Sequence, residues 1–340
     1  MTASRPIEII GGGLAGLSLG LALRRAGIRV TIIEAGSYPR HRVCGEFITG
    51  LSATTRSRLG LDPFLSDAVE NRDVAWYLLN KPVRYQKLPQ IAPGLSRYAL
   101  DARLANAFVA AGGDLKTLTR SAHTRDAPGR VFATGRRRAS SGWLGLKIHA
   151  RDLALSRDLE IHLGDHAYVG LTHVEEGCVN ICGLFRRRNL AAKGPDLLLG
   201  YLEDCGLADL SRRLRAATLA TESFSAVAAV AFDPRVQPPT AVRLGDSLAM
   251  IPPFTGHGMA MAFQSAETAL ASLIAYAQGE IEWPAARVQI HRQLQRRFRI
   301  RLASASALHS FLFKPSRQRW LSALNRARLL PLRPLYAALH

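Results

Sequence analysis

Residues 7–34 read Ile-Glu-Ile-Ile-Gly-Gly-Gly-Leu-Ala-Gly-Leu-Ser-Leu-Gly-Leu-Ala-Leu-Arg-Arg-Ala-Gly-Ile-Arg-Val-Thr-Ile-Ile-Glu, and no other stretch limits the fold so tightly. An apolar β-branched run enters three glycines, a segment of helical period follows, and a second β-branched run closes on an acid. Gly11, Gly13 and Gly16 fit G-x-G-x-x-G. The first glycine makes the tight turn, the second lets backbone N–H groups approach a pyrophosphate, and the third lets helix and strand pack closely. Leu14 and Ala15 open the helix, whose unpaired N–H groups and positive end suit a diphosphate. Glu34 falls at the spacing where a carboxylate accepts hydrogen bonds from an adenosine ribose. The unit predicts dinucleotide binding.

The rest of the chain must be fitted around that unit. At 340 residues and 48% hydrophobic content there is material for two domains, or for one large α/β unit carrying an inserted subdomain. A formal charge of +19 favours anionic partners: nucleic acid, phospholipid headgroups or an acidic substrate. Cys44, Cys178, Cys182 and Cys205 show neither metal-ligand spacing nor the density of a disulfide scaffold, so reduced thiols in a cytoplasmic protein are expected. The apolar N-terminus belongs to the nucleotide unit and no cleavage site follows it, so a signal peptide is not expected. No apolar run reaches 18 residues, the length of a membrane span.

After Glu34 comes a turn-rich loop, Ala-Gly-Ser-Tyr-Pro-Arg-His-Arg-Val-Cys-Gly-Glu46. Residues 51–70 have a helical pattern, and 73–88 read as a pair of strands. Arg97-Tyr-Ala-Leu-Asp101-Ala-Arg-Leu104 opens an amphipathic helix that runs to Ala111 and ends at Gly112-Gly113. Asp101 is expected to serve as an N-terminal helix acid. A strand enters the turn at Gly135, followed by Arg136-Arg137-Arg138, expected to be a solvated loop. From Trp143 to Leu184 the pattern alternates, giving short strands over 145–150, 159–163, 167–171 and 178–184. His149, His162, His166 and His173 lie among them without metal-ligand spacing, and alternation does not tell which face of the sheet each takes. Leu197–Leu219 reads as helix and 224–235 as strand.

The loop segment Pro39-Arg40-x-Arg42-Val43-Cys44-Gly45-Glu46 resembles a family: the flavin-dependent p-hydroxybenzoate-hydroxylase-like monooxygenases, flavin halogenases and geranylgeranyl reductases, in particular the last branch. The resemblance implies that this loop runs past the flavin, with Arg42, Cys44 and Gly45 beside the cofactor. Arg97 resembles the arginine of the family's R-x-x-L/F-D-x-x-L segment, which faces the flavin. Val242-Arg-Leu-Gly245-Asp246, followed by Pro252-Pro253 and Gly256-His257-Gly258-Met259, resembles the family's G-D…P…G-x-G-M segment. It implies that Asp246 holds the ribityl chain and that the helix starting near Gly258 aims its positive end at the flavin ring. Thr134 stands where many relatives carry an aspartate associated with nicotinamide contacts, so that role does not carry over. FAD is the expected cofactor, with NAD(P)H as transient electron donor. His257, between the two glycines, is the candidate for proton handling because imidazole changes charge near neutral pH.

The tail, 286–340, carries twelve cationic residues and no acid, interleaved with apolar positions at three- and four-residue steps. Two or three amphipathic helices are expected there. They offer either peripheral contact with an anionic membrane or an apolar stripe that packs on the nucleotide domain while its arginines stay solvated.

The fold class expected is α/β: a Rossmann-type FAD domain, an inserted antiparallel β-sheet substrate domain and a helical C-terminus. The FAD domain is expected over 1–70, 96–140 and 238–285, and the substrate domain over 71–95 and 141–237. The leading function is monooxygenation of a hydrophobic, aromatic or polyketide-like molecule, and prenyl C=C reduction is the alternative. Nucleic-acid binding is a third reading, opposed by the lack of any recognisable module for it.

Overall fold

The computed structural model describes residues 4–123, 125–136, 141–230, 232, 240–252 and 256–312. Arg137, Arg138, Pro253 and the tail beyond 312 therefore lie outside the described residues.

The glycine unit folds as β1 (Ile7–Ile10), α1 (Leu14–Arg25) and β2 (Val30–Ile33). Strands β5 (Asp114–Lys116), β6 (Arg130–Phe132) and β12 (Val242–Arg243) join them in a parallel sheet of order β12-β6-β1-β2-β5. Helix α1 is buried from Leu14 through Leu23, because its sequence is apolar on every side. The one hydroxyl inside it, that of Ser18, donates back to the Leu14 carbonyl at 2.6 Å. Helix α4 (Arg97–Ala110) and α7 (Gly258–Ala277) complete the core around α1.

A second sheet has the order β11-β7-β10-β9-β8-β3-β4. Its strands are β3 (Val69–Leu78), β4 (Lys81–Gly94), β7 (Trp143–Arg151), β8 (Leu159–Gly164), β9 (Ala167–His173), β10 (Val179–Arg186) and β11 (Thr218–Ala228). It is mixed rather than antiparallel, because β3 pairs in parallel with β8. Strands β4 to β7 lie between these two in sequence, so no hairpin forces them to run antiparallel. Alternation then gives the sheet two faces. Leu146, Ile148, Ala150, Val169, Leu171 and Ile181 pack on α5 (Pro195–Asp204) and α6 (Ala208–Ala216). The other face carries Lys147, His149, Asn180 and Cys182 in register with one another.

Several local expectations are corrected. The helix read over 197–219 breaks at Cys205-Gly206-Leu207, with Gly206 at φ +78°, and the strand read at 224 starts at Thr218. The tail's first segment is one helix, α8 (Trp283–Leu312). Its stripe of Ala286, Ile290, Leu294, Phe298, Leu302 and Ala305 is buried in the nucleotide-domain core. That apolar area, removed from water against protein, is closed to a bilayer. No helix among the described residues is long and apolar enough to cross a membrane.

Candidate active site

The glycine loop is shaped by close approach. Gly11 takes φ +109°, and a Cβ there would lie 2.3 Å from the Ala133 carbonyl oxygen. A Cβ on Gly16 would lie 2.0 Å from the Gly11 oxygen, so only glycine lets α1 start this near β1. Gly13 differs: among the described residues, a Cβ there would meet only Arg97 Nη2, at 3.9 Å. A Cβ on Gly258, at the start of α7, would meet none of the described residues within that distance.

Glu34 is buried, and its carboxylate is already engaged. The N–H groups of Gly12 and Gly36 each donate to it at 2.8 Å, and Arg40 Nη2 lies 2.6 Å from Oε1. Burial works against the charge, but the Gly36 N–H, Arg40 and the Gly12 N–H outweigh it and hold the group below the ordinary carboxylate range. The Tyr38 hydroxyl donates to the Gly12 carbonyl and so covers that peptide. A ribose diol reaching Glu34 would therefore meet Arg40, whose side chain is 31% exposed and has room to move aside.

From Glu34 the charges continue inward. Arg42 Nη2 lies 3.9 Å from Glu34, and its Nε donates to Asp101 at 3.0 Å. Arg97 grips Asp101 through Nε at 2.7 Å and Nη2 at 2.8 Å. Asp101 is thus an ion-pair centre, which corrects its expected helix-capping role: the N-cap of α4 is Ser96, whose hydroxyl accepts from Ala99 N. The physical reason is that Arg42, 59 residues earlier, folds back onto the helix. Arg42 Nη2 is buried with no hydrogen-bond partner among the described residues.

Asp246 sits in a 3₁₀ turn, Gly245–Ser247, anchored by the Gly245 N–H donating to Ser265 Oγ at 2.9 Å. Gly245 has φ +58°, and a Cβ there would lie 3.3 Å from Ala15 in the first turn of α1. The Asp246 carboxylate is exposed, yet protein surrounds it closely enough for burial to raise its pKa against the pull of Arg97, Arg136 and Arg42. Asp246 is thus a solvent-accessible acid facing three arginines. Arg97, which lies 3.9 Å from a Cβ built on Gly13, and Arg42 both act on Asp246, so the glycine loop and this turn share one region. The residues present therefore fit a long, anionic, diphosphate-bearing cofactor. Gly256 is tighter, since a Cβ would lie 2.4 Å from the Phe47 ring. Met259 is buried at the start of α7, and His257, its N-cap residue, is buried and not in solvent. The Cys44 thiol is pushed up by burial, and so stays protonated. Gly45 abuts the ring of Phe47.

Three functional candidates were missed in the sequence. Glu46, fully buried, lies 2.5 Å from His149 Nε2 and 3.4 Å from Lys147 Nζ, and accepts the Arg97 N–H at 3.0 Å. Burial opposes its charge, but His149 and Lys147 hold it below the ordinary range. Lys147 has no exposed side-chain surface and lies 3.1 Å from His41 Nδ1. The signal was available: Lys147 and His149 alternate with Leu146, Ile148 and Ala150, marking one polar face on an otherwise apolar strand. A separate cavity of about 420 Å³ between Asp67, Arg103, His173 and Glu175 involves none of these residues. Its charges are satisfied locally, Arg103 by Asp67 at 2.6 Å and Glu175 by the Ser96 N–H at 2.8 Å.

Residues 9–45 match the NAD(P)-binding Rossmann-like domain family. Across nearly the whole chain the architecture superimposes on Klebsiella pneumoniae HpxO complexed with FAD and uric acid: TM-score 0.76, 16% identity, 98% of this chain and 96% of that one. The chain shares the fold of this FAD-complexed protein. Pseudomonas aeruginosa PqsL, solved with 2-aminobenzoylacetate, gives TM-score 0.71 at 16% identity over 92% of this chain and 97% of that one. A geranylgeranyl bacteriochlorophyll reductase-like protein from Thermoplasma acidophilum gives 0.75 at 15% identity over 99% and 96%. In sequence, the chain is 24% identical over 138 residues to a menaquinone reductase of Mycolicibacterium smegmatis. That match covers 39% of this chain and about a third, 34%, of the reductase. The expected α/β fold is the one found.

Proposed function

We propose that the chain is an FAD-dependent oxidoreductase that hydroxylates a hydrophobic small molecule, with NAD(P)H as reductant. The observation that carries this reading is Asp246, solvent-accessible on a turn that abuts the first turns of α1 and α7. In this reading 1–70, 96–140 and 238–285 form the cofactor domain, and 71–95 and 141–237 the substrate domain. Glu34 would hold the adenosine ribose, α1 the diphosphate and Asp246 the ribityl chain, with the N-terminus of α7 toward the ring. When bound, FAD supplies two-electron redox chemistry, and the chain supplies binding, orientation and electrostatics.

The substrate's character follows from the sheet face beside this region. Leu163, Tyr168, Leu184 and Val230 are buried there, with Leu78, Ile161, Val227 and Phe232 packed against them. Met250, just after the Asp246 turn, joins the same cluster and ties this wall to the cofactor region. An apolar wall ending in Lys147, His149 and Asn180 suits a molecule with a hydrophobic body and one polar end. The solved complexes with uric acid and 2-aminobenzoylacetate support a small-molecule substrate.

A second reading, reduction of a prenyl C=C bond, is favoured by the Cys44-Gly45-Glu46 loop and by the menaquinone reductase match. Peripheral contact with an anionic membrane rests on the outward Arg292, Arg296 and Arg299 of α8, since the apolar stripe beside them is buried. Incubation with candidate substrates under ¹⁸O₂ separates the two reactions: product carrying one labelled oxygen supports hydroxylation, and product gaining two hydrogens supports reduction.

The cofactor is tested first. Glu34→Ala removes charge-assisted hydrogen bonds of roughly 1.5–3 kcal/mol, a loss of about 10- to 150-fold in FAD affinity. Gly13→Val has room in the protein and so should fold, yet its side chain fills the space the cofactor needs. Extraction and chromatography of the bound flavin reads both. Near-normal FAD in both variants overturns the assignment.

A further inference from the structure

We propose that His149 is the acid–base residue of the active site, oriented by Glu46, and that it takes the proton from an O–H group at the polar end of the substrate. This rests on the hydroxylation reading above. The arrangement is a buried carboxylate, an imidazole and an open nitrogen. Glu46 is ionised and can only accept, so the 2.5 Å contact fixes the hydrogen of His149 on Nε2. The lone pair is then on Nδ1, and among the described residues no group hydrogen-bonds that nitrogen. His149 keeps a small accessible area, 8% of its side chain, whereas Glu46 and Lys147 keep none.

The backbone around His149 is opened on one side. Strand β11 pairs Ala220 with His149 and Ser225 with Lys147, so four residues of β11 stand against one of β7. The excess bulges outward and places Thr221 and Glu222 in solvent, while Ser223 Oγ accepts the His149 N–H at 2.7 Å. Bulges of this kind re-aim strands beside active sites. On the opposite side the His41 ring meets His149 edge-on at 5.2 Å and stacks on Tyr98 at 4.5 Å. Tyr98 adjoins Arg97, which borders the glycine loop. His149 therefore lies on the wall between the cofactor region and the substrate face.

The step balances without any redox change. The substrate O–H bond breaks, its electron pair stays on oxygen, and the proton bonds Nδ1. Glu46 stabilises the resulting imidazolium and holds its orientation, as a buried carboxylate does for the histidine of a hydrolase triad. The titratable groups around the cluster are Glu46 and His41 from the loop, Lys147 from β7, Cys182 from β10 and Glu222 from β11. Burial and the nearby Lys147 lower His41 to about 4, so it stays neutral and accepts from the Lys147 ammonium. The thiol of Cys182 is raised by burial and does not compete as a base.

The test uses the holoenzyme and 4-nitrophenol, whose ionised form has its own absorption band. In the wild type the bound probe should ionise at lower pH than the free one, its apparent acidity raised roughly tenfold or more by the oriented base. His149→Gln, whose amide can still donate to Glu46, should fold and bind the probe but lose that displacement. Glu46→Gln, where it folds, should lose part of it. Retention of the full displacement in His149→Gln overturns the proposal, as does a wild type that leaves the probe unbound or unshifted. Extraction of FAD reports on the proposed function separately, so a flavin-free protein and an idle His149 are different failures.

Discussion

Two glutamate–histidine pairs lie on opposite faces of the seven-stranded sheet, and they have been put to different ends. Glu46 and His149 meet at 2.5 Å on the face toward the glycine loop, and Glu160 and His162 meet at 2.9 Å on the face toward α6. Both carboxylates are fully buried, and each has a second cation: Lys147 at 3.4 Å and Arg213 at 2.8 Å. The surroundings differ. Glu160 also accepts the Ser156 N–H at 2.7 Å, and the His162 ring stacks on Tyr77 at 4.5 Å and 4°. His162 Nδ1 is buried with no hydrogen-bond partner among the described residues. On the other face, no described residue hydrogen-bonds the second nitrogen of His149, and the His149 side chain keeps 8% of its surface accessible. The same two residue types make a structural clamp where the ring is stacked and closed in, and a chemical group where one nitrogen is left open.

The largest effect should come from breaking the inner pair. Glu46→Gln leaves Lys147, with no access to water, without its counter-charge. Removing one partner of such a buried pair costs roughly 3–5 kcal/mol. Chemical denaturation of the variant against wild type measures it, and a loss below about 1 kcal/mol would show that Lys147 escapes to solvent.

Glu160→Gln should cost less, because Arg213 is one-third exposed and can turn to water. Its signature is in the pH dependence. Burial opposes ionisation of Glu160, but His162, Arg213 and the Ser156 N–H bring its pKa from 4.5 down to about 2. A depressed acid contributes stability that is complete above the unfolded value and is lost as pH falls toward the folded one. The shift corresponds to a contribution on the order of 3 kcal/mol. The wild type should thus lose stability between about pH 4.5 and 2 through this group, and Glu160→Gln should flatten that part of its acid melting curve. An unchanged acid limb would mean that the pair is already broken in solution.

How legible this was in the sequence depends on how local each feature is. The glycine unit was readable because strand period, helix period, turn and closing acid lie within 28 consecutive residues, Ile7 to Glu34. The alternating strands were readable for the same reason. The two histidines were not separable, because which face each takes is set by pairing with distant strands: His149 by β10 and β11, His162 by β9 and by β3 in parallel. Asp101 was misjudged because its decisive partner, Arg42, arrives from another element. Glu46 was quoted as part of a motif but given no role. Its burial depends on a backbone turn at φ +57° and on the docking of the second sheet, neither of which the local pattern shows. The stripe of α8 was correctly seen as apolar, but only the fold shows that it is covered by the nucleotide domain.

The smallest effect should follow from His162→Phe, and it separates the two pairs most finely. Phenylalanine keeps the stack on Tyr77 and removes a nitrogen that is buried without a partner, while Glu160 retains Arg213 and the Ser156 N–H. At pH 8 the variant should lie within about 1 kcal/mol of wild type, since an apolar replacement of similar shape can be nearly neutral. The sign then changes with acidity. Burial outweighs the Glu160 hydrogen bond and lowers the His162 pKa from 6.5. Below 6.5 the unfolded chain takes up a proton that the folded one refuses, so the wild type loses stability as pH falls into the window beneath that value. Phenylalanine has no proton to take up, and His162→Phe should gain on the wild type as pH is lowered from 7 to 5 and leave the phenolate reading at His149 untouched. A variant that instead falls behind the wild type on acidification would show that His162 is held protonated by Glu160, and that the clamp is an ion pair rather than a neutral ring sealed against a carboxylate.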